Sequence, residues 1–500
     1  MRFATIPSET GTILCPEPLA QSPNQLLQSI GNISQLPHPP INESFRYTSQ
    51  LHQFLLGKHL LLDELPFPIG QIYEHYLNGL IIFEKGITTN GRQFYCQRCG
   101  NDELNLFASF DCFRCKEQCV YCRNCIMMGR VSQCTPLLRW TRPEFSWKQK
   151  NNQILKWEGK LSQLQAIASQ RISEVIDLPQ ELLIWAVCGA GKTEILFEGI
   201  EKALHQGKRV CLATPRTDVV TELRPRFESA FPNVGVQAIY GGHSDLSHSS
   251  QLILSTTHQL FRFKEAFDLM IVDEVDAFPY SYDRTLQFAV AKASKTNRTM
   301  IYLTATPSHS MLKRVKKTEL EVVHISKRYH GYPLPVPEFV WCSNWMKFLK
   351  KGLMTKVVLD WIEDRLERKR KTFVFVPTVQ VARQVYALFE KSESVDFVHA
   401  EDPNRNEKIQ KFRKGETMML ITTTILERGV TVPEIDVGVF GADHENFSSN
   451  ALVQIAGRAG RSIEDPYGEV VYFHYGKTNA MVSARDTILE HNKRAGQPSL

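Results

Sequence analysis

Residues 186–193, AVCGAGKT, constrain this chain more than any other stretch. They follow Leu182-Leu183-Ile184-Trp185-Ala186-Val187, an apolar run of strand length, and precede residues 194–205, which read as a helix. A glycine-rich loop that closes a buried strand and opens a helix is the setting a phosphate loop needs, and such units build parallel α/β sheets. Gly189 and Gly191 let backbone N–H groups curl around phosphate oxygens, while the helix start favours negative charge. Lys192 suits the β- and γ-phosphates and Thr193 suits Mg²⁺, with Cys188, Ala190 and Glu194 completing the cradle. Ala186 stands where the usual pattern has its first glycine. A chance glycine-rich turn is the bland alternative, and the stretches that follow argue against it.

Downstream, Leu269-Met270-Ile271-Val272 runs straight into Asp273-Glu274 of the sequence DEVD. A buried parallel strand that delivers two carboxylates at its C-terminal end matches where α/β sheets place ligand sites. Asp273 suits Mg²⁺, directly or through water, and Glu274 suits orienting and deprotonating an attacking water. Next come TATP at residues 304–307, TTTILERGV at 422–430 and QIAGRAGR at 454–461. Hydroxyls of Thr304 and Thr306 can hydrogen-bond the acidic motif. Arg458 and Arg461 lie three apart, so on a helix they would share a face and could steady charge on a γ-phosphate. Gln454, one turn earlier, could touch the nucleotide or the acidic motif. A solvated basic helix face is the plain reading of any arginine pair; the spacing of Gln, Gly and two Arg weighs against it.

Eight cysteines fall between Cys96 and Cys134. Thiolates two residues apart can share one tetrahedral Zn²⁺, and two such pairs close a structural site. Cys96, Cys99, Cys122 and Cys125 are the expected first site. Cys112, Cys115, Cys119 and Cys134 form a candidate second site, with the partners unresolved by sequence. No signal peptide is read, and an ATP site implies a reducing compartment, so disulfides are not expected. Cys15, Cys188, Cys211 and Cys342 are scattered and carry no metal pattern.

The ordered motifs resemble those of superfamily 2 helicases and translocases, from about residue 151 to the C-terminus. That resemblance implies a two-lobed ATP-driven motor on nucleic acid. It gives Gln165, in residues 161–165 (LSQLQ), the role of reading the adenine edge, with Trp157 as a stacking surface. It makes Thr214-Pro215-Arg216 and Thr256-Thr257-His258-Gln259 DNA contacts, and Val376-Pro377-Thr378 their second-lobe counterpart. Cysteines placed before the motor, YCRNCIMMGR at 121–130 and DEVDAFP at 273–279 narrow the likeness to the ComFA family of late-competence DNA-uptake ATPases. PriA helicases share the plan, but carry their zinc module within the motor and usually end the acidic motif in His, where this chain has Asp276. The family implies single-stranded DNA as substrate, ComFC-like and other competence proteins as partners, and a membrane channel reached through a partner. It implies a cytoplasmic protein, peripheral at the inner face of the membrane.

The expected fold is therefore α/β: two tandem RecA-like parallel-sheet lobes preceded by a small Cys-rich zinc-binding module. Residues 1–90 form an N-terminal region, Pro-, Gln- and Ser-rich at first and expected to be mobile there. The zinc module occupies 91–138, the first lobe 145–325 and the second 338–485. Residues 332–337 (YPLPVP) read as a stiff extended linker. A formal charge of +6, from 59 basic and 53 acidic residues, is mild, so DNA contact calls for local patches. Arg139-Trp140-Thr141-Arg142 and Trp147-Lys148-Gln149-Lys150 interleave aromatic and basic residues as single-strand binding favours; a linker anchored by buried tryptophans is an equal alternative. No apolar run reaches membrane-span length. Two other functions stay open: a PriA-like restart helicase, and a non-hydrolysing zinc-containing DNA-binding adaptor, which intact Lys192, Glu274, Arg458 and Arg461 count against.

Overall fold

The computed structural model describes residues 1–500 except 9–10, 21–25, 142–146, 148–152, 245–248, 391, 429, 431 and 497–500. It resolves into two compact units: Met1–Trp157, Ser173–Glu181 and Glu198–Tyr302 form one, and Glu158–Ile172, Leu182–Phe197 and Leu303–Leu500 the other.

In the first unit the amino terminus differs from the mobile segment its composition suggested. Strands Arg2–Ser8 and Gly11–Pro16 pair as an antiparallel hairpin, with Leu27–Ser29 on the other side of the first strand. The reason is burial. Phe3 and Leu14 join Leu51, Phe54, Ile72, Tyr76 and Ile81 in one core, and Tyr76 Oη accepts a hydrogen bond from Leu14 N at 3.0 Å. A second small sheet orders Leu60–Leu61, Pro136–Trp140 and Ile81–Lys85. Its central strand follows the cysteines in sequence and its edge strands precede them, so the cysteine hairpins are an insertion into this N-terminal fold. Trp140, offered by the sequence as a stacking surface, is buried in that core, and Arg139 Nε donates to Glu84 Oε1 at 2.6 Å. Anchoring wins over display here; Arg142, Lys148, Gln149 and Lys150 of the same patch lie outside the described residues.

The motor strands of this unit lie in the order His243–Ser244, Val236–Tyr240, Leu252–Thr256, Val210–Thr214, Phe267–Asp273 and Ser294–Thr304. Val210, Leu252 and Leu269 are buried, as strands covered on both faces require. Pairing of Val210–Thr214 with Leu252–Thr256 and with Phe267–Asp273 is parallel, which brings Thr214, Thr256 and Asp273 to strand ends on one edge.

In the second unit the phosphate-loop strand Glu181–Ala186 pairs in parallel with Glu321–Ile325. A six-stranded sheet follows, ordered Glu338–Trp341, Val470–His474, Ile435–Phe440, Lys371–Phe375, Met419–Thr422 and Val395–Val398. All its pairings are parallel, with helices such as Lys356–Glu367 and Val379–Ala387 supplying apolar cover from Val358, Ile362, Ala382 and Val385. The two RecA-like parallel-sheet lobes and the Cys-rich module before them are those the motifs implied.

Candidate nucleotide and metal sites

The loop after Glu181–Ala186 turns through Gly189 (φ +77°) and Gly191 (φ +71°), conformations that side chains resist. Glu194–Leu196 then makes one 3-10 turn before the α-helix Phe197–His205, so the helix read from residue 194 starts a turn later. Gln165 is buried and committed to the protein: Nε2 donates to Ala190 O at 2.9 Å and Oε1 accepts from Ser162 N at 2.8 Å. In this state it braces the loop, where the sequence had it reading a base.

Gln454 lies on helix Ser449–Ala456 and reaches the same loop, its Oε1 accepting from Cys188 Sγ at 3.0 Å. The approach is close: a Cβ on Gly457 would sit 2.3 Å from Cys188 Cβ. Gln454 Nε2 is buried with no hydrogen-bond partner among the described residues, a donor left over beside the phosphate loop. The structure brings Gln165, Cys188, Ala190 and Gln454 together.

The arginines correct one expectation. The helix ends at Ala456, with Gly457 as its cap, so Arg458 and Arg461 sit on the turn beyond it and share no helix face. Gly460 takes φ +62° within that turn. Arg458 is buried, donating from Nε to Glu427 O at 2.8 Å and from Nη1 to Val430 O. It thereby holds the TTTILERGV loop, whose Gly429 lies outside the described residues. Arg461 Nε donates to Gly457 O at 2.9 Å.

Asp273 and Glu274 belong to the first unit, at the end of strand Phe267–Asp273. Asp273 Oδ1 accepts from Glu274 N at 2.8 Å, and Glu274 takes φ +54°, an uncommon backbone for a residue with a side chain. Thr304 Oγ1 accepts from Thr306 N at 3.0 Å, and Ala305 O accepts from Trp185 Nε1 at 3.1 Å. Of the segments assigned to DNA contact, Thr214 and Thr257 are wholly buried, whereas His258 is exposed and Arg216 half-buried. Thr378 caps helix Val379–Ala387, accepting from Val381 N at 3.2 Å, and Trp157 is half-buried.

The eight cysteines separate into two buried groups of four: Cys96, Cys99, Cys122 and Cys125, and Cys112, Cys115, Cys119 and Cys134. Hairpin register explains the split. Strands Phe107–Cys112 and Glu117–Cys122 pair Phe107 with Cys122 and Cys112 with Glu117. Cys122 thus lies at the open end and Cys112 at the turn, about 16 Å apart at roughly 3.3 Å per residue. The returning chain, with Gln133 N donating to Val120 O at 2.9 Å, lays Cys134 alongside Cys119. Sulfur separations fit a metal. Cys96–Cys125 is 3.7 Å, Cys99–Cys122 is 3.6 Å and Cys112–Cys134 is 3.6 Å. Four sulfurs at 2.3 Å from one Zn²⁺ stand about 3.8 Å apart, whereas a disulfide needs about 2.05 Å. Hydrogen bonds from Cys125, Cys96 and Cys99 hold the Cys122 thiol well below the ordinary range, and the bond from Cys119 holds Cys134 down to about 4.

A network that the sequence did not signal surrounds the first group. Arg98, between Cys96 and Cys99, is fully buried and donates from Nη2 to both oxygens of Glu64 at 3.0 Å. Glu64 Oε1 also accepts from Arg262 Nε at 2.9 Å, at the end of the 3-10 helix Thr257–Arg262. Lys292 Nζ donates to Arg98 O at 2.7 Å and to Phe261 O at 2.8 Å; burial, then the charge of Arg98, pushes its pKa down to about 7.

Residues 42–139 match the family model of the competence protein ComFA N-terminal domain. Residues 158–309 match the type III restriction enzyme res subunit, and 353–462 the helicase conserved C-terminal domain. The chain is 48% identical over 460 residues to competence protein ComFA of Bacillus subtilis (strain 168), covering 92% of this chain and 98% of that one. The chain belongs to the ComFA family. ComFA of Streptococcus pneumoniae (strain ATCC BAA-255 / R6) is 36% identical over 408 residues, 81% of this chain and 91% of that protein. A solved structure of S. cerevisiae Dbp5 bound to RNA and ADP BeF3 superposes with a TM-score of 0.52 at 16% identity, covering 66% of this chain and 88% of that one; this speaks to the fold alone. The helicase-domain matches and the ComFA relatives support a competence-related superfamily 2 helicase-type ATPase.

Proposed function

We propose that the chain is a DNA-dependent ATPase that translocates on single-stranded DNA and drives uptake of transforming DNA during natural competence. The observation that carries this reading is the seating of Gln454 and Gly457 against Cys188 of the phosphate loop. That arrangement supports a nucleotide site completed by the second lobe, so that ATP binding and release change how the lobes grip a strand. Lys192 and the loop N–H groups bind the phosphates, Thr193 and Asp273 hold Mg²⁺, and Glu274 takes the proton of the attacking water. Arg458 and Arg461 act on the charge of the transferring phosphoryl group once freed from their present carbonyl partners. Mg²⁺, when bound, neutralises charge shared by the β- and γ-phosphates.

The two cysteine groups each hold a structural Zn²⁺. Arg216 and His258 touch the DNA strand. Among the described residues no helix is long and apolar enough to cross a membrane, and channel contact is assigned to partners such as ComFC-like proteins. On this reading the chain works in the cytoplasm, at the inner face of the membrane.

The test measures ATP turnover without nucleic acid and with single-stranded DNA, duplex DNA and RNA, beside a strand-displacement assay. Single-stranded DNA should stimulate most, with little strand displacement. Turnover indifferent to nucleic acid would sink the reading; efficient unwinding would move it to a restart helicase.

A further inference from the structure

Arg328 follows strand Glu321–Ile325 and opens the linker to the six-stranded sheet. Its side chain is 1% exposed, and its donors go to backbone carbonyls rather than to a carboxylate. Nε donates to Tyr332 O at 3.3 Å, Nη1 to Ala459 O at 3.1 Å and to Gly460 O, and Nη2 to Pro333 O at 2.5 Å and Pro466 O at 2.8 Å. A guanidinium has five N–H groups, and five carbonyls receive them. Burial, with the charge of Arg461 next, lowers its pKa to about 10, which leaves it charged at neutral pH.

The side chain meets two places that matter to the nucleotide site. Ala459 and Gly460 form the turn between Arg458 and Arg461. A Cβ on Gly460 would lie 2.3 Å from Pro466 O and 3.0 Å from Arg328 Nη1, so the turn is shaped around the guanidinium. On the other side, a Cβ on Gly189 of the phosphate loop would meet Arg328 Cδ at 3.4 Å. The next residues repeat the bridge. Tyr329 N donates to Gly189 O at 3.0 Å and its Oη to Arg461 O at 3.3 Å, while His330 Nε2 lies 3.2 Å from Gly460 O.

We propose that Arg328 is a positioning residue for ATP hydrolysis, holding the turn that carries Arg458 and Arg461 in register with the phosphate loop. The inference rests on reading the chain as an ATPase. Arg328 touches no reacting atom; it acts through Arg461. A lysine there offers three donors from one point and cannot span five carbonyls.

Steady-state kinetics of Arg328→Lys, Arg461→Ala and the double variant test the proposal. Arg328→Lys should lower kcat roughly 10- to 100-fold, as misplacement of a group by about 1 Å does. KM for ATP should move less than about twofold, because ground-state binding is kept. The double variant should be no slower than Arg461→Ala within about twofold, since both changes remove one contribution. Tyr329→Phe, which loses only the hydroxyl bond to Arg461 O, should lower kcat by about fivefold, the worth of one hydrogen bond. It decides the question in the same double-variant comparison if Arg328→Lys does not fold. Wild-type kcat in the variants, a rise in KM alone, or effects that multiply in the double variant would overturn the proposal. A wild-type protein without ATPase activity would overturn both it and the function it rests on.

Discussion

Cys96, Cys99, Cys122 and Cys125 lie against motor elements, whereas Cys112, Cys115, Cys119 and Cys134 lie at the hairpin turn beside the start of the chain. Around the first group, Arg98 and Arg262 share Glu64, Lys292 ties Arg98 to Phe261, and the ring of Phe288 would be 2.6 Å from a Cβ on Gly100. Around the second, the N-terminal amine donates to Cys134 O at 3.2 Å, Arg114 pairs with Asp63, and Phe113 is 96% exposed. Identical donor sets thus have different mechanical reach. The first group's contacts reach Thr257–Arg262 and Arg284–Ala293, the segment that carries His258 and the helix behind it. The second group's contacts named here reach only the chain start, Asp63 and solvent.

The sharpest way to break this contrast is to remove one ligand from each group. Cys122→Ser and Cys112→Ser should each lose about one Zn²⁺ per chain by elemental analysis, because three thiolates cannot close a tetrahedral site. Cys122→Ser should also lose most DNA stimulation of ATP turnover, and Cys112→Ser should keep it. Equal losses of stimulation would erase the distinction. Next in size is Glu64→Gln, which leaves the buried Arg98 guanidinium without its countercharge and should cost about 3–5 kcal/mol in denaturant unfolding. Its zinc content should stay at the wild-type value; loss of metal would mean that Glu64 supports the ligands rather than the contact with the motor. Smallest is Arg114→Ala. Its pair with Asp63 is half exposed on both sides, 55% and 56%, so unfolding should change by less than about 1 kcal/mol. A larger change would show the second group to be as firmly tied down as the first.

What the sequence could reveal followed from the range of the interactions. Strands Glu181–Ala186 and Phe267–Asp273 were legible because buried parallel strands are unbroken apolar runs that end in motif residues. The first cysteine group was legible from paired spacing alone. The second needed the hairpin register, which joins residues through backbone bonds that composition does not report. Arg458 and Arg461 were legible as a pair but not as a turn, since the decisive fact is Gly460 closing over Arg328. The fold of residues 1–90 was hidden because its core joins Leu14 to Tyr76, 62 residues later. The triad of Glu64, Arg98 and Arg262 spans 198 residues between its ends, and no local pattern marks a charge that is neutralised so far away.

The most direct test of the central claim, a motor that moves along single-stranded DNA, is the ATPase rate at saturating strand concentration as strand length increases. A translocase that restarts from every new strand should hydrolyse faster as strands lengthen and then level off, with Lys192→Ala inactive at all lengths. A stimulated rate identical on the shortest binding strand and on long strands would contradict movement and leave only DNA-triggered hydrolysis.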